Sequence, residues 1–225
     1  MGRKTAASSA KSKEKRMQRK EEQNRISQAM AVVAQANKLE DPLQPFPVFR
    51  KFNKNGLEAE LFAKKSTNLD EFIKEWSFNL TKKNMQLKYE QCSWGWCDSK
   101  KREELFDEAA WFDIDEGQEV LYCYELQLDP SYQRKGLGKF MMQVLELVAF
   151  KNSMKKVVLT VLKNNQSSKF FKALNYELDE SSPIDDEEES YPYEILSKIN
   201  KRLVPHQSPM KVNSHHCCSG HDHHH

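Results

Sequence analysis

Apolar side chains recur along this chain at two spacings. A recurrence every third or fourth position marks helices, and alternation or a short unbroken run marks strands. Lys11 to Arg25 is highly charged and helix-prone, and it passes into Ile26, Met30, Val33 and Ala34, a stripe at helical spacing. One helix is expected from residue 13 to 38, with its second half on the core. Three prolines between Asp41 and Pro47 end it, with Phe46 and Phe49 anchoring the linker. Asn53 to Gly56 reads as a turn and Leu57 to Ala63 as a short strand. Thr67 or Asn68 is expected to cap a helix to Asn79, with Leu69, Phe72, Ile73 and Trp76 on one face. Thr81 is expected to cap a second, through Met85, Leu87 and Tyr89. Trp94-Gly95-Trp96 breaks that pattern, and Asp98 opens a charged helical segment to Phe106.

The second half of the chain is more regular. Val120 to Leu128 is rich in β-branched, aromatic and long apolar residues, which predicts a buried strand. Asp129-Pro130-Ser131 turns the chain. Leu137, Met141, Val144, Leu145, Leu147 and Val148 then mark an amphipathic helix. Lys156 to Leu162 reads as a buried strand, Gln166 to Leu174 as a short helix, and Tyr176 to Asp179 and Tyr193 to Ile199 as further strands. Between the early helices and the central strand, Ala109 to Phe112 has room only for a stub, followed by an acidic turn containing Gly117.

Composition sharpens this outline. The 225 residues fit one domain with extensions, and 38% hydrophobic content supports one core with solvated parts. Residues 1–12 are expected to be a disordered basic tail, 13–56 the N-terminal helix and linker, 57–200 the domain, and 201–225 a disordered tail. There is no apolar run long enough to span a bilayer and no apolar leader, so neither a membrane span nor secretion is expected. Net charge is +2, but residues 1–25 carry nine Lys or Arg against three Glu, which leaves −4 on the remainder. That basic start is a nuclear-targeting signal, a nucleic-acid contact or a solvated helix end. Five cysteines without a secretory signal argue against a disulfide framework. All seven histidines lie between residues 206 and 225, so a Ser-His or Cys-His mechanism has no base in the body. The His/Cys tail is either unstructured or a weak transition-metal binder; no metal cofactor is expected.

Two candidate sites stand out. The order strand, turn, glycine-containing helix start leaves unpaired backbone N–H groups that an anion can approach. Gln133-Arg134-Lys135-Gly136-Leu137-Gly138-Lys139 provides the glycines and three cations, so the stretch suits a pyrophosphate or is an ordinary basic helix start. GxGxxG and GxxxxGK[ST] are both absent. Glu125 interrupts an apolar strand beside Cys123, Tyr124 and Leu126. It is either a strand-end salt bridge or a carboxylate with a raised pKa, fit to act as a base. Alternation sets Tyr122 and Tyr124 opposite Glu125, and a β-bulge would bring Tyr124 and Glu125 towards one cleft.

Gln133 to Gly138 resembles the Q/R-x-x-G-x-G/A segment of the Gcn5-related N-acetyltransferase (GNAT) superfamily. Further stretches resemble its histone-directed amino-terminal branch: Asn84-Met85-Gln86, Tyr89-Glu90-Gln91, Trp94-Gly95-Trp96, Val120 to Glu125, Lys135 to Phe140, and Tyr193 to Ser197. The resemblance implies an α/β (α+β) GNAT fold, a mixed central sheet flanked by helices. It has an N-terminal helical extension and a hairpin truncated near residues 109–119, roughly twenty residues short of two full strands and their turn. It implies acetyl-CoA as co-substrate and transfer of its acetyl group to the amine of histone amino-terminal tails in a ternary complex. It also implies a nuclear and cytoplasmic location; the protein is expected to be a monomer.

Residue by residue, the resemblance assigns Glu125 as general base, with Tyr124 and Tyr89 beside it. Acetyl-CoA contacts fall on Leu126, Gln127, Leu128, Arg134, Lys135, Gly136, Leu137, Gly138, Lys139 and Asn164, with Asn165 the alternative register. Substrate contacts fall on Tyr89, Asp113, Ile114, Asp115, Tyr124, Thr160, Ser181 and Tyr193. The acid that superfamily members place after the first Phe of the later segment is Phe171 here. Two rival readings remain: a chromatin- or nucleic-acid-binding module, and an inactive acetyltransferase-like scaffold in which the lost strands expose a sheet edge.

Overall fold

The computed structural model describes residues 3–107, 112–187 and 189–203, with side chains from residue 12 onward. Residues 109–111 of the expected stub Ala109 to Phe112, and the tail from residue 204, lie outside the described residues. Helix α1 spans Arg3–Ala36. It starts within the stretch expected to lack structure, where Ala, Lys and Arg are strong helix formers. Residues 12–25 are exposed, while Ala29 and Ala36 are buried against the body.

Strands β1 (Lys51–Lys54) and β2 (Leu57–Glu60) form a separate antiparallel hairpin. Its two-residue turn, Asn55-Gly56, has φ of 53° and 70°, which matches a type I′ turn. The chain then enters α2 (Glu71–Glu90), capped by Asp70, whose carboxylate accepts from Ile73 N–H at 2.9 Å. This is one helix where two were expected. Thr81 caps nothing: its hydroxyl donates back to Ser77 O at 3.0 Å within the continuous helix. The expected apolar face is also displaced. Phe72 and Trp76 are exposed, and Phe78, Leu80 and Met85 are the buried apolar residues. Helix α3 (Asp98–Leu105) follows.

The main sheet contains β3 (Phe112–Asp115), β4 (Gln118–Tyr122), β5 (Lys156–Leu162), β6 (Glu177–Leu178) and β7 (Tyr193–Ile199). Helix α4 (Leu137–Lys151) links β4 to β5, and α5 (Ser167–Ala173) follows β5. The order is β3-β4-β5-β7-β6, with only β4 and β5 parallel. This is the mixed sheet flanked by helices that the sequence predicts. The hairpin differs in detail. Asp113-Ile114-Asp115 is strand, not turn, because Glu116 and Gly117 (φ 47° and 73°) close the hairpin in two residues. As an edge strand, β3 needs outside partners for its backbone. Asn37, just past α1, provides them at Phe112: its amide donates to Phe112 O at 2.9 Å and accepts from Phe112 N–H at 3.3 Å.

One face of the sheet carries the core. Leu121, Cys123, Val157, Leu159, Val161 and Leu196 pack with Phe112 and with Met142, Val144, Val148 and Ala149 of α4. Each such buried aliphatic contributes ~1.5–3 kcal/mol. That core fixes where α4 begins, and so where the functional residues of the β4–α4 connection lie.

Candidate active site

The sheet opens where β4 ends. Its last pairing to β5 is Cys123 N–H to Val158 O at 2.8 Å, and residues 123–129 run on outside the ladder. The expected strand to Leu128 therefore stops at Tyr122, and the strand splays instead of bulging. Asn84 of α2 holds the splayed segment, donating to Gln127 Oε1 at 2.9 Å and to Leu128 O at 3.1 Å.

The segment leads into the glycine loop. Asp129 caps a short turn at Pro130–Tyr132, accepting from Ser131 N–H at 3.0 Å and Ser131 Oγ at 2.7 Å. Gln133 Nε2 donates back to Leu128 O at 3.0 Å. Arg134 and Gly136 take left-handed φ values of 60° and 91°. Gly136 occupies the cap position of α4, where no side chain satisfies the first-turn amides. The β1–β2 hairpin braces this loop: Asn55 Nδ2 donates to Lys135 O at 2.9 Å, and the Phe52 ring lies 5.2 Å from that of Phe140. A Cβ on Gly138 would stand 3.4 Å from both Leu128 Cδ1 and Phe170 Cζ, so a glycine lets α4 seat closely there. Arg134 and Lys139 are exposed around the open amides. Uncapped amides, a positive dipole end and surrounding cations fit a diphosphate. Asn164 turns to α2, donating to Lys88 O at 2.8 Å, while Asn165 Oδ1, just before α5, accepts from Ser167 N–H at 3.2 Å.

Glu125 sits in the splay with its side chain 17% exposed. Burial pushes its pKa up. Gln127 Nε2, donating to Oε2 at 2.8 Å, and the Lys101 ammonium, 3.5 Å from Oε1, pull it back without cancelling the rise. Beyond Lys101 lies an aromatic wall. Tyr89 stacks near Trp94 and Trp96 at 6.0 and 5.6 Å, and Trp94 lies 4.7 Å from Tyr193 on β7. Burial raises the pKa of the Tyr89 hydroxyl, although Lys101 donates to it at 2.9 Å.

Tyr124 faces the other way. Its hydroxyl donates to Asp113 Oδ2 at 3.2 Å, and its ring lies 4.5 Å from that of Tyr122, whose hydroxyl shares a hydrogen bond with Thr160. Burial and the Asp113 carboxylate push the Tyr124 hydroxyl up to about 12. Glu125 and Tyr124 thus keep the opposite faces that strand alternation gives them. Ile114 is half-buried on the Phe112 side of β3. Asp115 is committed inside the protein: its carboxylate lies 2.9 Å from Lys156 Nζ, which also donates to Asp179 at 2.8 and 2.9 Å. Burial raises the Asp179 pKa, but Lys156, Ser197 and Ser181 outweigh it and hold the carboxyl at about 2. Ser181 belongs to that network through its hydroxyl, 2.7 Å from Asp179 Oδ1.

Sequence reasoning missed Lys101, which is only 7% exposed. It reads as one of three successive cations, Lys100-Lys101-Arg102, on a charged helix. Lys156 did leave a signal, a lysine opening an otherwise apolar strand. Among the described residues, no group of three or more His, Cys, Asp or Glu is placed to hold a metal, and no helix is long and apolar enough to cross a membrane.

A glycine-capped helix start at the splayed end of a mixed sheet, with a largely buried carboxylate on the same segment, has the chemical parts that acyl transfer needs. Residues 65–176 match the acetyltransferase (GNAT) family, and the chain belongs to that family, whose members transfer an acetyl group from acetyl-CoA. Similar solved structures include a GNAT-family acetyltransferase from Listeria monocytogenes, at 10% identity and TM-score 0.45, covering 67% of this chain and 99% of that one. Another is the PaiA N-acetyltransferase of Thermoplasma acidophilum in complex with coenzyme A, at 17% identity and TM-score 0.42, covering 59% and 96%. A third is Arabidopsis thaliana Naa50 in complex with the bisubstrate analogue CoA-Ac-MVNAL, at 15% identity and TM-score 0.39, covering 58% and 94%.

Proposed function

We propose that this acetyltransferase is of the NatD type and modifies the free α-amine of histone four and histone two-A, whose tails begin Ser-Gly-Arg-Gly. The observation that carries the reading is the place of Glu125: a largely buried carboxylate in the splay, set against Lys101 beside the aromatic wall, on the segment that leads to the open amides of α4. An α-ammonium has a pKa of about 8 and cannot attack until it loses a proton. A carboxylate whose pKa burial has raised accepts that proton more readily than an exposed one.

The bound co-substrate supplies an electrophilic thioester carbonyl. Gly136, Leu137, Gly138 and Lys139 hold its diphosphate by their amides, with Arg134 and Lys135 adding charge. Leu126, Gln127 and Leu128 line its path, and the Leu126 N–H is the donor for the carbonyl oxygen. Glu125 takes the ammonium proton, the freed amine forms the N–C bond, the C–S bond breaks, and the extra proton left on the new amide nitrogen passes through solvent to the departing thiolate. Tyr89, Trp94 and Tyr193 form a wall suited to a small first residue. Asp113 offers a carboxylate to the basic tail, whereas Asp185 of the acidic run is already paired with Lys163 at 2.6 Å. The chain works in the nucleus and cytoplasm, where such tails are made and packed.

A pair of variants tests the substrate side. Asp113→Asn should raise KM for a basic tail roughly threefold to fivefold, the worth of a part-exposed ion pair of ~0.7–1 kcal/mol. Its Tm should change little, because Asp113 is exposed. Asp115→Asn should lower Tm, since it removes a carboxylate from buried Lys156. Steady-state kinetics and calorimetry read the two effects; an unchanged KM in Asp113→Asn removes that contact.

A further inference from the structure

We propose that Lys101 is a positioning residue for the transfer: from the middle of α3 it keeps Glu125 ionised and holds the Tyr89 hydroxyl as a donor. This rests on the reading of Glu125 as the base and deepens it.

The argument begins with a cost. An ammonium removed from water loses several kcal/mol unless its partners compensate. Lys101 is buried on a helix of eight residues on which Lys100 stays exposed, although exposure is open to any residue on a short surface helix. Its closest partner, Glu104 Oε2 at 2.6 Å, is 58% exposed and does not require a buried lysine. The inward partners do. Nζ donates to Tyr89 Oη at 2.9 Å, stands 4.5 Å from the centre of the Tyr89 ring and lies 3.5 Å from Glu125 Oε1.

Each inward contact has a consequence. An ammonium carries three N–H groups and no acceptor. By donating to the Tyr89 oxygen, it leaves the tyrosine O–H to donate elsewhere. Glu125 has Gln127 on Oε2, so Lys101 is the counter-charge on the other oxygen, Oε1. The groups that act on Glu125 are Lys101 and Glu104 from α3, Tyr89 from α2, and Gln127 and Cys123 from its own segment. Lys101 favours the carboxylate, and burial and Glu104 oppose it. Lys101 therefore sets how far above its ordinary value the base titrates.

The test uses the full chain in four forms: wild type, Lys101→Met, Lys101→Arg and Glu104→Gln. The first readout is the pH profile of kcat/KM with a Ser-Gly-Arg-Gly peptide. Lys101→Met should move the acid limb upward by about one pH unit or more, as loss of a close opposite charge does. Lys101→Arg should return most of that shift. Glu104→Gln should move the limb downward, because it removes a repelling carboxylate and a competitor for Lys101. The second readout is an infrared titration of the Glu125 carboxyl in the protein without substrate, assigned by the band that Glu125→Gln removes; it should shift in the same directions. A purely structural lysine would lower activity equally at every pH. An acid limb and a carboxyl titration that stay put in all variants overturn the proposal. Should Lys101→Met not fold, Glu104→Gln at its exposed position decides by the same criterion. If Glu125→Gln keeps its turnover, the base reading fails on its own, and the infrared shift still reports on Lys101.

Discussion

Glu125→Gln is expected to lower kcat by about 10²–10⁴, the usual worth of a positioned general base. Affinity for coenzyme A should stay within error, because the side chain faces Gln127 and Lys101, not the glycine loop. Stability should move the other way from activity. Burial raises the Glu125 pKa, so the folded state favours the protonated acid. The associated stabilisation is complete below the ordinary carboxylate range and is lost as pH rises through the raised value. At a pH above that raised value the ionised Glu125 is therefore a cost, which an uncharged glutamine avoids. The variant should melt no lower than wild type at that pH, and any advantage should shrink as pH falls. Calorimetry across pH 5 to 8, beside initial rates, checks both halves. Normal turnover in Glu125→Gln would remove the residue from the reaction.

Gly136→Val should weaken binding of coenzyme A by about 5- to 150-fold. Gly136 holds φ at 91°, and a Cβ there would meet only Asn55 Nδ2 at 3.7 Å and Phe52 Cζ at 3.9 Å. Space is not the obstacle; backbone conformation is. A β-branched residue in the left-handed region costs about 1–3 kcal/mol. Relaxing that strain turns the α4 amides away from the diphosphate, so binding must restore it, and the cost appears in Kd. The loop lies on the surface, so the core of β5, β7 and α4 should remain intact by circular dichroism. Isothermal titration measures the loss. Equal affinity would show that the diphosphate is held elsewhere.

The sequence exposed some of these features and hid others, for physical reasons. The strand–turn–helix order around Gly136 was legible because each part has a strong local signal: β-branched residues, Asp129-Pro130, and apolar residues at helical spacing. Glu125 stood out as a charge in an apolar run. The sequence predicts two helices where α2 is one, because a threonine can cap a helix or bond back inside one, and only the fold selects the second. The acidic run Asp113 to Glu116 looked like a turn because charge masks a strand; the positive φ of Glu116 and Gly117 shows the turn takes only two residues. Long-range pairings left no local trace. Nothing near Asp115 points to Lys156, and nothing separates Lys101 from its neighbours until α3 is packed beside Tyr89 and Glu125. The Asn37 amide on Phe112 is likewise a tertiary substitute for a neighbouring strand.

The most direct measurement is mass spectrometry of a Ser-Gly-Arg-Gly peptide incubated with this chain and acetyl-CoA. The account predicts a gain of one acetyl group, located on the α-amine, absent when that amine is blocked and absent with Glu125→Gln. An unmodified peptide with coenzyme A demonstrably bound, or acetyl found on side chains alone, would contradict it.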